Sequence, residues 1–453
     1  MFKIKFSELQ KLNPPFFHIK KDPFLKGISF DTRMMKGGEL FFALRGRHRD
    51  GHSFFDEALR KGASGVVVNA QYYQRFREKC TKFNVVGVND VSAFLIKFAC
   101  FLRKKIRSKV ICITGSCGKT TTKNILSFIV SNQKKVVANP ESFNNQIGVP
   151  YSISLADENT EVLILECGTS HPGEILSLSR IARPHYSVIT NIGPSHQEFF
   201  GSIRKVYEEK ITLAKFTKNI VIVDYDNKYL KEWIPPSRVK KISVGFKKGA
   251  DYNIVMKIHR AENITFLVHP FHEEFTLRTG FIHHVKNASL SIVVSHLLGI
   301  SLPFIRNRLL NFHFENRRTQ LIRKKGGITV INDAYNSNPL SLEEALKSLG
   351  RFKDFKRRIV VLSDMLEQGK RSSYYHRRIG MKLHTYGVDY LFCYGKQCKF
   401  LYEGAKFSFK KRAFHFATKE ELLSALKKVL YRGDLVFVKG SRDTKIDEII
   451  EEI

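Results

Sequence analysis

Acidic residues are scarce in this chain of 453: Asp and Glu number 42 against 76 Lys and Arg, a formal net charge of +34. Such an imbalance favours anionic company, whether nucleotides, polyanions or an anionic membrane surface, and names none of them. Paired cysteines are also lacking. The seven cysteines are odd in number and include no C-x-x-C, and Cys112 and Cys117 flank a glycine loop. That excludes a disulfide framework and predicts reduced thiols in a cytoplasm. The opening stretch, MFKIKFSELQKLN, has no apolar h-region, so no signal peptide is expected. Long apolar runs are missing as well. The longest uncharged run, from Ala288 to Ile305, contains serines, a histidine, Gly299 and Pro303, and predicts a buried helix followed by a turn rather than a membrane span. Neither a fixed-period repeat nor a low-complexity linker is present. What remains is an ordinary globular composition, 43% hydrophobic and 26% charged, which excludes disorder and collagen.

At about 100–200 residues per domain, several domains fit in this length. The strand pattern divides it into three parts. Residues 1–88 alternate short apolar runs (ELFFAL, SGVVVN, NVVGV) with helical stretches. Residues 89–311 open with the helical VSAFLIKFACFLRKK and continue through VICIT, KVVAN, EVLILE, YSVITN and NIVIVD. Strands this uniformly apolar, separated by helices, predict a parallel sheet covered on both faces. Between Tyr252 and Gly280 the residues alternate instead, which predicts an appended antiparallel meander. Residues 312–453 return to the parallel pattern with GITVIND, RIVVLSD, YLFCYG and DLVFVKGS. The fold class is therefore α/β. These strands end in Gly115, Asn139, Glu166, Asn191, Asp333, Asp364 and Lys439. Ligands of open α/β sheets sit outside the carboxyl ends of the strands, so the collection points to a crevice there, although any single polar residue could simply cap its strand.

The strongest local signal is VICITGSCGKTTTKNILSFIV. An apolar strand enters Gly115-Ser116-Cys117-Gly118-Lys119-Thr120-Thr121, and an amphipathic helix follows. Glycines let backbone N–H groups close around phosphate oxygens, Lys119 adds a point charge and the helix N-terminus its dipole. Thr120 is placed to offer a hydroxyl to Mg²⁺. The longer P-loop spacing would need glycine where Ile113 stands. Glu166 closes an apolar strand; alone it would more often face solvent, but beside this loop it is a candidate metal partner. His196 and Lys210 follow in NIGPSHQEFFGS and VYEEKITLAKF. Taken singly, they read as a hydrogen-bonding histidine and a surface charge. Cys117, next to the expected phosphates, is expected to have a lowered thiol pKa. His48 and His52 have i,i+4 spacing, but Gly51 and the turn-like composition argue against a helical metal pair. Basic clusters at Lys353, Lys356, Arg357 and Arg358 and at Lys410, Lys411 and Arg412 read as solvated faces, with nucleic-acid contact as the alternative.

In order along the chain, these segments resemble the Mur ligase family, ATP-dependent amide-forming enzymes of peptidoglycan synthesis. TGSCGKTTTK is similar to the family's shortened phosphate loop, which accounts for Ile113. SFNNQIGVP (142–150) is similar to its asparagine-rich segment, LECGTS to its E-x-G segment and NIGPSHQEFFGS to its histidine segment. HHVKNASLS, ENRRTQ and INDAYNSNPLSLEEAL resemble its nucleotide-contacting stretches. The resemblance implies a small UDP-substrate domain (1–88), a central P-loop ATPase domain (89–311) and a C-terminal Rossmann-like ligase domain (312–453). It implies ATP held by Gly115–Thr121 with Asn287, Arg318 and Asp333, a first Mg²⁺ on Thr120 and Glu166, and a second on His196 and a carbamylated Lys210. Lys119, Glu166, His196 and Lys210 are the implied catalytic set. Asn144, Asn145, Asn336 and Asn338 are the implied substrate side, and Asp31, Thr32 and Arg33 the implied UDP end.

Within the family, SDMLEQG (363–369) and the stretch from FDTRMMKGG onward are similar to the member that adds D-alanyl-D-alanine to UDP-N-acetylmuramoyl-tripeptide. The expected chemistry is transfer of phosphate from ATP to the tripeptide carboxylate, followed by attack of the dipeptide amine. A monomer is expected, with no membrane insertion and no nucleic-acid partner. Two departures stand out: Thr212 where the family often has glutamate after the lysine, and Ser363 where glycine commonly precedes D-M-L-E. The rivals are a UDP-muramoyl-dipeptide ligase, a folate polyglutamylating ligase, a nucleic-acid-stimulated P-loop ATPase and a silent anion-binding scaffold. The D-N-P-R-type motif of the first is absent, and the DTR…DGH stretch argues against the second.

Overall fold

The computed structural model describes residues 4–46, 48–140 and 142–453. Its largest sheet has nine strands, and Lys109–Thr114 lies inside it between Val162–Glu166 and Tyr186–Ile189, parallel to both. Later strands are added first on one side of Lys109–Thr114 and then on the other, so the strand order reverses there. In doubly wound sheets such a switch point opens a crevice at the carboxyl ends. Val110 to Thr114 and the whole of Val162–Glu166 are buried, as expected of strands covered on both faces. Ile220–Asp224 and Lys240–Gly245 continue the parallel order. Tyr252–His259, Ile264–His269 and Glu273–Leu277 then form the antiparallel meander, and the alternating burial of Ile264–His269 is the pattern of a sheet with one covered face.

A five-stranded sheet lies within residues 16–88, parallel except for Phe16–His18. A six-stranded sheet lies within 320–439, parallel except for Gln320–Arg323. The helix Val91–Lys105 joins the first sheet to the central one. Asp90 starts it by accepting from the N–H groups of Ser92 (2.7 Å) and Ala93 (3.0 Å), and Arg103, Lys104 and Lys105 close it with charge that suits the C-terminal end of the helix dipole. Its apolar face carries Phe94 and Phe98 against Phe42, in a core that runs on to Leu163 and Leu165 of the central sheet. On the other face, the helices Lys119–Val130 and Ile282–Leu297 pack on Ile111, Ile113 and Ile164. The uncharged stretch from Ala288 is thus a buried helix, with a turn before Leu302–Leu310. Among the described residues no helix is long and apolar enough to cross a membrane. All seven cysteines are free thiols.

Candidate active site

The loop after Lys109–Thr114 is shaped by backbone that only glycine takes easily. Gly115 has φ +152°, and a Cβ there would lie 1.9 Å from Thr190 Oγ1. Gly118, at φ +80°, sits just before the helix Lys119–Val130, and a Cβ there would meet Asn287 Oδ1 at 2.5 Å. The neighbouring strand braces the loop. Asn191 Oδ1 accepts from Cys117 N (2.9 Å), its carbonyl accepts from Ser116 N (3.2 Å), and the Thr190 hydroxyl donates to Cys117 O (2.5 Å). Ser116 Oγ donates to Gly193 O at 2.9 Å. The first turn of the following helix, with Lys119, Thr120 and Thr121, presents N–H groups outside the helical ladder and the positive end of the dipole. Lys119 folds back over the loop, its Nζ 2.9 Å from Gly115 O.

This loop forms one wall of a cavity of about 360 Å³. Glu166 enters from the end of its strand, nearly buried, with Oε1 accepting from Asn144 Nδ2 at 2.8 Å. Asn139 fixes the Glu166 backbone, accepting from its N–H at 2.8 Å and donating to its carbonyl at 3.2 Å. His196 also lines the cavity, and its Nδ1 lies 2.7 Å from Glu367 Oε2. The histidine beside it holds the Glu367 carboxyl below the usual range. Lys210 lies behind this wall, 1% exposed and not lining the cavity. Burial, then the charge of Lys119, pushes its ammonium down to about 7, so a neutral amine is accessible near neutrality.

The facing wall comes from the helix Ile282–Leu297 and the C-terminal sheet. Asn287 reaches it beside Gly118, with His283 nearby, and desolvation pushes His283 down to about 4. The Arg318 guanidinium lies 3.8 Å from the Tyr335 ring centroid, and its Nε and Nη2 are buried without a hydrogen-bond partner. Asp333 accepts from Lys439 Nζ at 2.7 Å and from Thr319 N at 3.2 Å, and Lys439 also donates to Asn336 O at 2.9 Å. Asn338 caps the helix Pro339–Leu349 while its Nδ2 reaches Ser116 O at 3.4 Å. Glu315 Oε2 lies 3.5 Å from Arg318 Nε, an ion pair too long for a hydrogen bond. Buried guanidinium donors with no hydrogen bond to the protein, in a cavity shared with a glycine loop and Lys119, suit an anionic ligand.

Not every candidate converges here. Asn145 is exposed and accepts from Ile147 N and Gly148 N at the start of the helix Gly148–Ser154. Asp31 pairs with Arg33 at 2.6 Å and borders a separate cavity of about 170 Å³ that also includes Phe30 and Tyr151; Thr32 is buried and Arg33 exposed, neither lining it. Phe30 also contacts Phe143, beside the Asn144 segment, with ring centroids 6.0 Å apart. Cys117 reverses its expectation. Desolvation and the Glu344 carboxyl, 4.0 Å from its sulfur, push the thiol up to about 12 rather than down. Both ring nitrogens of His52 are used internally, by Asp50 and by the Asn69 N–H. Arg357 belongs to the fold, donating to both oxygens of Asp434 at 2.9 and 2.6 Å. Tyr335, Glu344 and Glu367 are not among the residues the sequence singles out, and Asn191 and Lys439 enter there only as strand ends. For Asn191 and Lys439 the strand-end position is the available signal; Glu344 and Glu367 stand within INDAYNSNPLSLEEAL and SDMLEQG, but what each carboxyl touches is set by tertiary contacts.

The chain matches the Mur ligase middle domain over residues 113–295, the Mur ligase glutamate ligase domain over 317–442 and the Mur ligase family catalytic domain over 25–101. It is similar to the UDP-N-acetylmuramoyl-tripeptide–D-alanyl-D-alanine ligase of Bacillus subtilis (strain 168), 31% identical over 95% of this chain and 93% of that protein. The ligase of the same name from Treponema pallidum (strain Nichols) is also 31% identical, over 93% and 92%. Among solved structures, MurF from Acinetobacter baumannii superposes with a TM-score of 0.88 at 25% identity, covering 100% of this chain and 99% of that one. MurF from Thermotoga maritima in complex with ADP gives 0.81 at 26% identity, covering 94% and 96%. With three family models matched in succession and relatives of that identity over nearly its whole length, this chain belongs to the Mur ligase family.

Proposed function

We infer that this chain is an ATP-dependent ligase that joins D-alanyl-D-alanine to UDP-N-acetylmuramoyl-tripeptide in peptidoglycan precursor synthesis. One observation carries the reading: Ser116–Thr121, Glu166 and His196 from the central sheet share a single cavity with Arg318 and Asp333 from the C-terminal part. The reaction must bring a triphosphate up to a carboxylate, and the repulsion between them has to be offset by fixed cations. Lys119 and the N–H groups of the helix start bind phosphate oxygens, and Nε and Nη2 of Arg318, which make no hydrogen bond to the protein, take a further polar or anionic group of the nucleotide. Asp333, held by Lys439, faces the same ligand from the C-terminal side, and Asn287 lies next to the loop. The ribose and base are its natural partners.

The donor set fits Mg²⁺. The Thr120 hydroxyl and Glu166 carboxylate are hard oxygen donors, and His196 adds an imidazole facing the same space. We propose Thr120 and Glu166 as holders of one ion and His196 with Lys210 as holders of another. When bound, the metal neutralises phosphate charge. A protonated lysine cannot ligate a cation; the lowered Lys210 pKa supports carbamylation, which turns the amine into an anionic oxygen ligand. Asn144 orients Glu166 through its 2.8 Å hydrogen bond, and Asn336 and Asn338 border the side where the acceptor must enter. The cavity beside Asp31, joined to the Asn144 segment through Phe30 and Phe143, is the proposed place of the UDP end. We further propose domain boundaries near residues 88 and 311, a monomeric state and a cytoplasmic location.

The test is the product. Incubation with ATP, Mg²⁺, UDP-muramoyl-tripeptide and D-alanyl-D-alanine should give a nucleotide heavier by the dipeptide less one water. No such species with either the diaminopimelate or the lysine tripeptide overturns the inference.

A further inference from the structure

We propose that Glu367 is a positioning residue: through it, the C-terminal sheet sets the orientation of the His196 imidazole, so that the cavity is completed only while the two parts are docked. The proposal rests on the reading of His196 as a metal-side group. Glu367 lies in the turn after the strand Arg357–Ser363, in the part of the chain that carries the six-stranded sheet. His196 lies just before the short helix Gln197–Phe200 of the central part. Three contacts fasten one turn to the other. Glu367 Oε2 is 2.7 Å from His196 Nδ1, and Glu198 N donates to Glu367 O at 3.3 Å. Gly369, at φ +54°, lies so close that a Cβ would sit 2.8 Å from Glu198 Cα.

The backbone supports a functional reading. His196 has φ +49° and Glu367 φ +60°, so two non-glycine residues in the left-handed region face each other across the contact. Such conformations persist only where the surroundings impose them, and they gather at functional sites. Glu367 is itself exposed and does not line the cavity, so it acts through the histidine. The 2.7 Å pair is close without being aligned as a hydrogen bond, and His196 Nδ1 is otherwise buried with no partner, so Glu367 is the acceptor within reach of its proton. An imidazole whose Nδ1–H turns onto a carboxylate has its tautomer and ring orientation fixed, and keeps the Nε2 lone pair for a ligand. Among the described residues, no other ion pair involves this ring. Separation of the C-terminal part removes Glu367, and the ring is then free to turn.

The experiment compares Glu367→Ala, Glu367→Gln and His196→Ala in the full chain. Mn²⁺ serves as the probe metal, followed by electron paramagnetic resonance with a non-hydrolysable ATP analogue. Steady-state kinetics and ¹⁵N-histidine spectra are recorded alongside. The expected result for Glu367→Ala is Mn²⁺ binding weakened by about 10–100-fold at one site, with a kcat loss of similar size. KM for ATP and the thermal midpoint should stay unchanged. Glu367→Gln, whose amide oxygen can still accept the Nδ1 proton, should recover most of the loss. The His196 signal, identified by its disappearance in His196→Ala, should show the Nδ1–H tautomer in the parent protein and lose that preference in Glu367→Ala. An unchanged tautomer and unchanged Mn²⁺ affinity in Glu367→Ala, with one Mn²⁺ lost in His196→Ala, overturns the role of Glu367 and leaves the His196 reading standing. Full Mn²⁺ binding by His196→Ala overturns the His196 reading itself. Equal losses in the alanine and glutamine variants also overturn the orienting role.

Discussion

Replacing Gly115 with alanine tests whether the phosphate loop is held by the neighbouring strand. At φ +152° an alanine is strained, and residues in sparsely populated backbone regions cost about 1–3 kcal/mol. The new Cβ would also meet Thr190 Oγ1 at 1.9 Å, so the hydroxyl must leave. It now donates to Cys117 O at 2.5 Å, and losing such a partner in a buried setting costs about 1–3 kcal/mol. The sum is a destabilisation of about 2–6 kcal/mol. Thr190→Ala alone should cost about 1–3 kcal/mol. In the double variant the hydroxyl is already gone, so the costs should fall short of additivity by about 1–3 kcal/mol. Urea unfolding followed by tryptophan fluorescence gives the numbers. The single tryptophan, Trp233, is 8% exposed and packs in one cluster with Ile189 and Ile192, which flank Thr190 and Asn191. Additivity within about 0.5 kcal/mol, or a cost below about 1 kcal/mol for Gly115→Ala, would refute the bracing argument.

Other consequences follow from the same geometry. Lys119→Ala should abolish turnover with the unfolding midpoint unchanged; near-parental phosphate release from a folded variant contradicts the assigned phosphate site. Cys117, with its thiol pushed up to about 12, should resist iodoacetamide at neutral pH; rapid labelling of that residue, read by peptide mass, contradicts the burial argument. His185 accepts from Val110 N at 3.0 Å and is pushed down to about 4 by desolvation and by Arg103, so between about 6.5 and 4 the unfolded chain binds a proton that the native one refuses. Stability therefore falls as pH drops through that window. His185→Asn should narrow the difference in urea midpoint between pH 7 and pH 4.5, and an undiminished difference assigns the acid lability elsewhere.

The parts of this molecule legible in its sequence are those that local chemistry dictates. The apolar strand ending at Thr114, the glycines at 115 and 118 and the amphipathic helix from Lys119 specify a strand–loop–helix without help from elsewhere. The alternation within ITFLVH specifies a strand with one covered face, and Ile264–His269 has that burial. Asn191 and Lys439 were visible as strand ends, but their work depends on strand order: Asn191 braces the loop because its strand neighbours Lys109–Thr114, and Lys439 holds Asp333 because their strands pair in parallel. Cys117 misleads for a related reason. Neighbouring cations can be read from sequence, whereas desolvation and the approach of Glu344 cannot. Asn145 resembles its neighbour Asn144 in sequence and differs in place, because the turn that aims Asn144 at Glu166 directs Asn145 to a helix start. The contact of Glu367 with His196 has no local signature, since it arises from the packing of separate sheets.

The most direct test of the account is the coupling of phosphate release to the dipeptide. Purified protein with ATP, Mg²⁺ and UDP-muramoyl-tripeptide should release phosphate steadily only when D-alanyl-D-alanine is added, with each phosphate matched by one ligated product. Release that ignores the dipeptide, or rises instead on addition of DNA or RNA, would contradict the account and make the excess of basic residues the better guide.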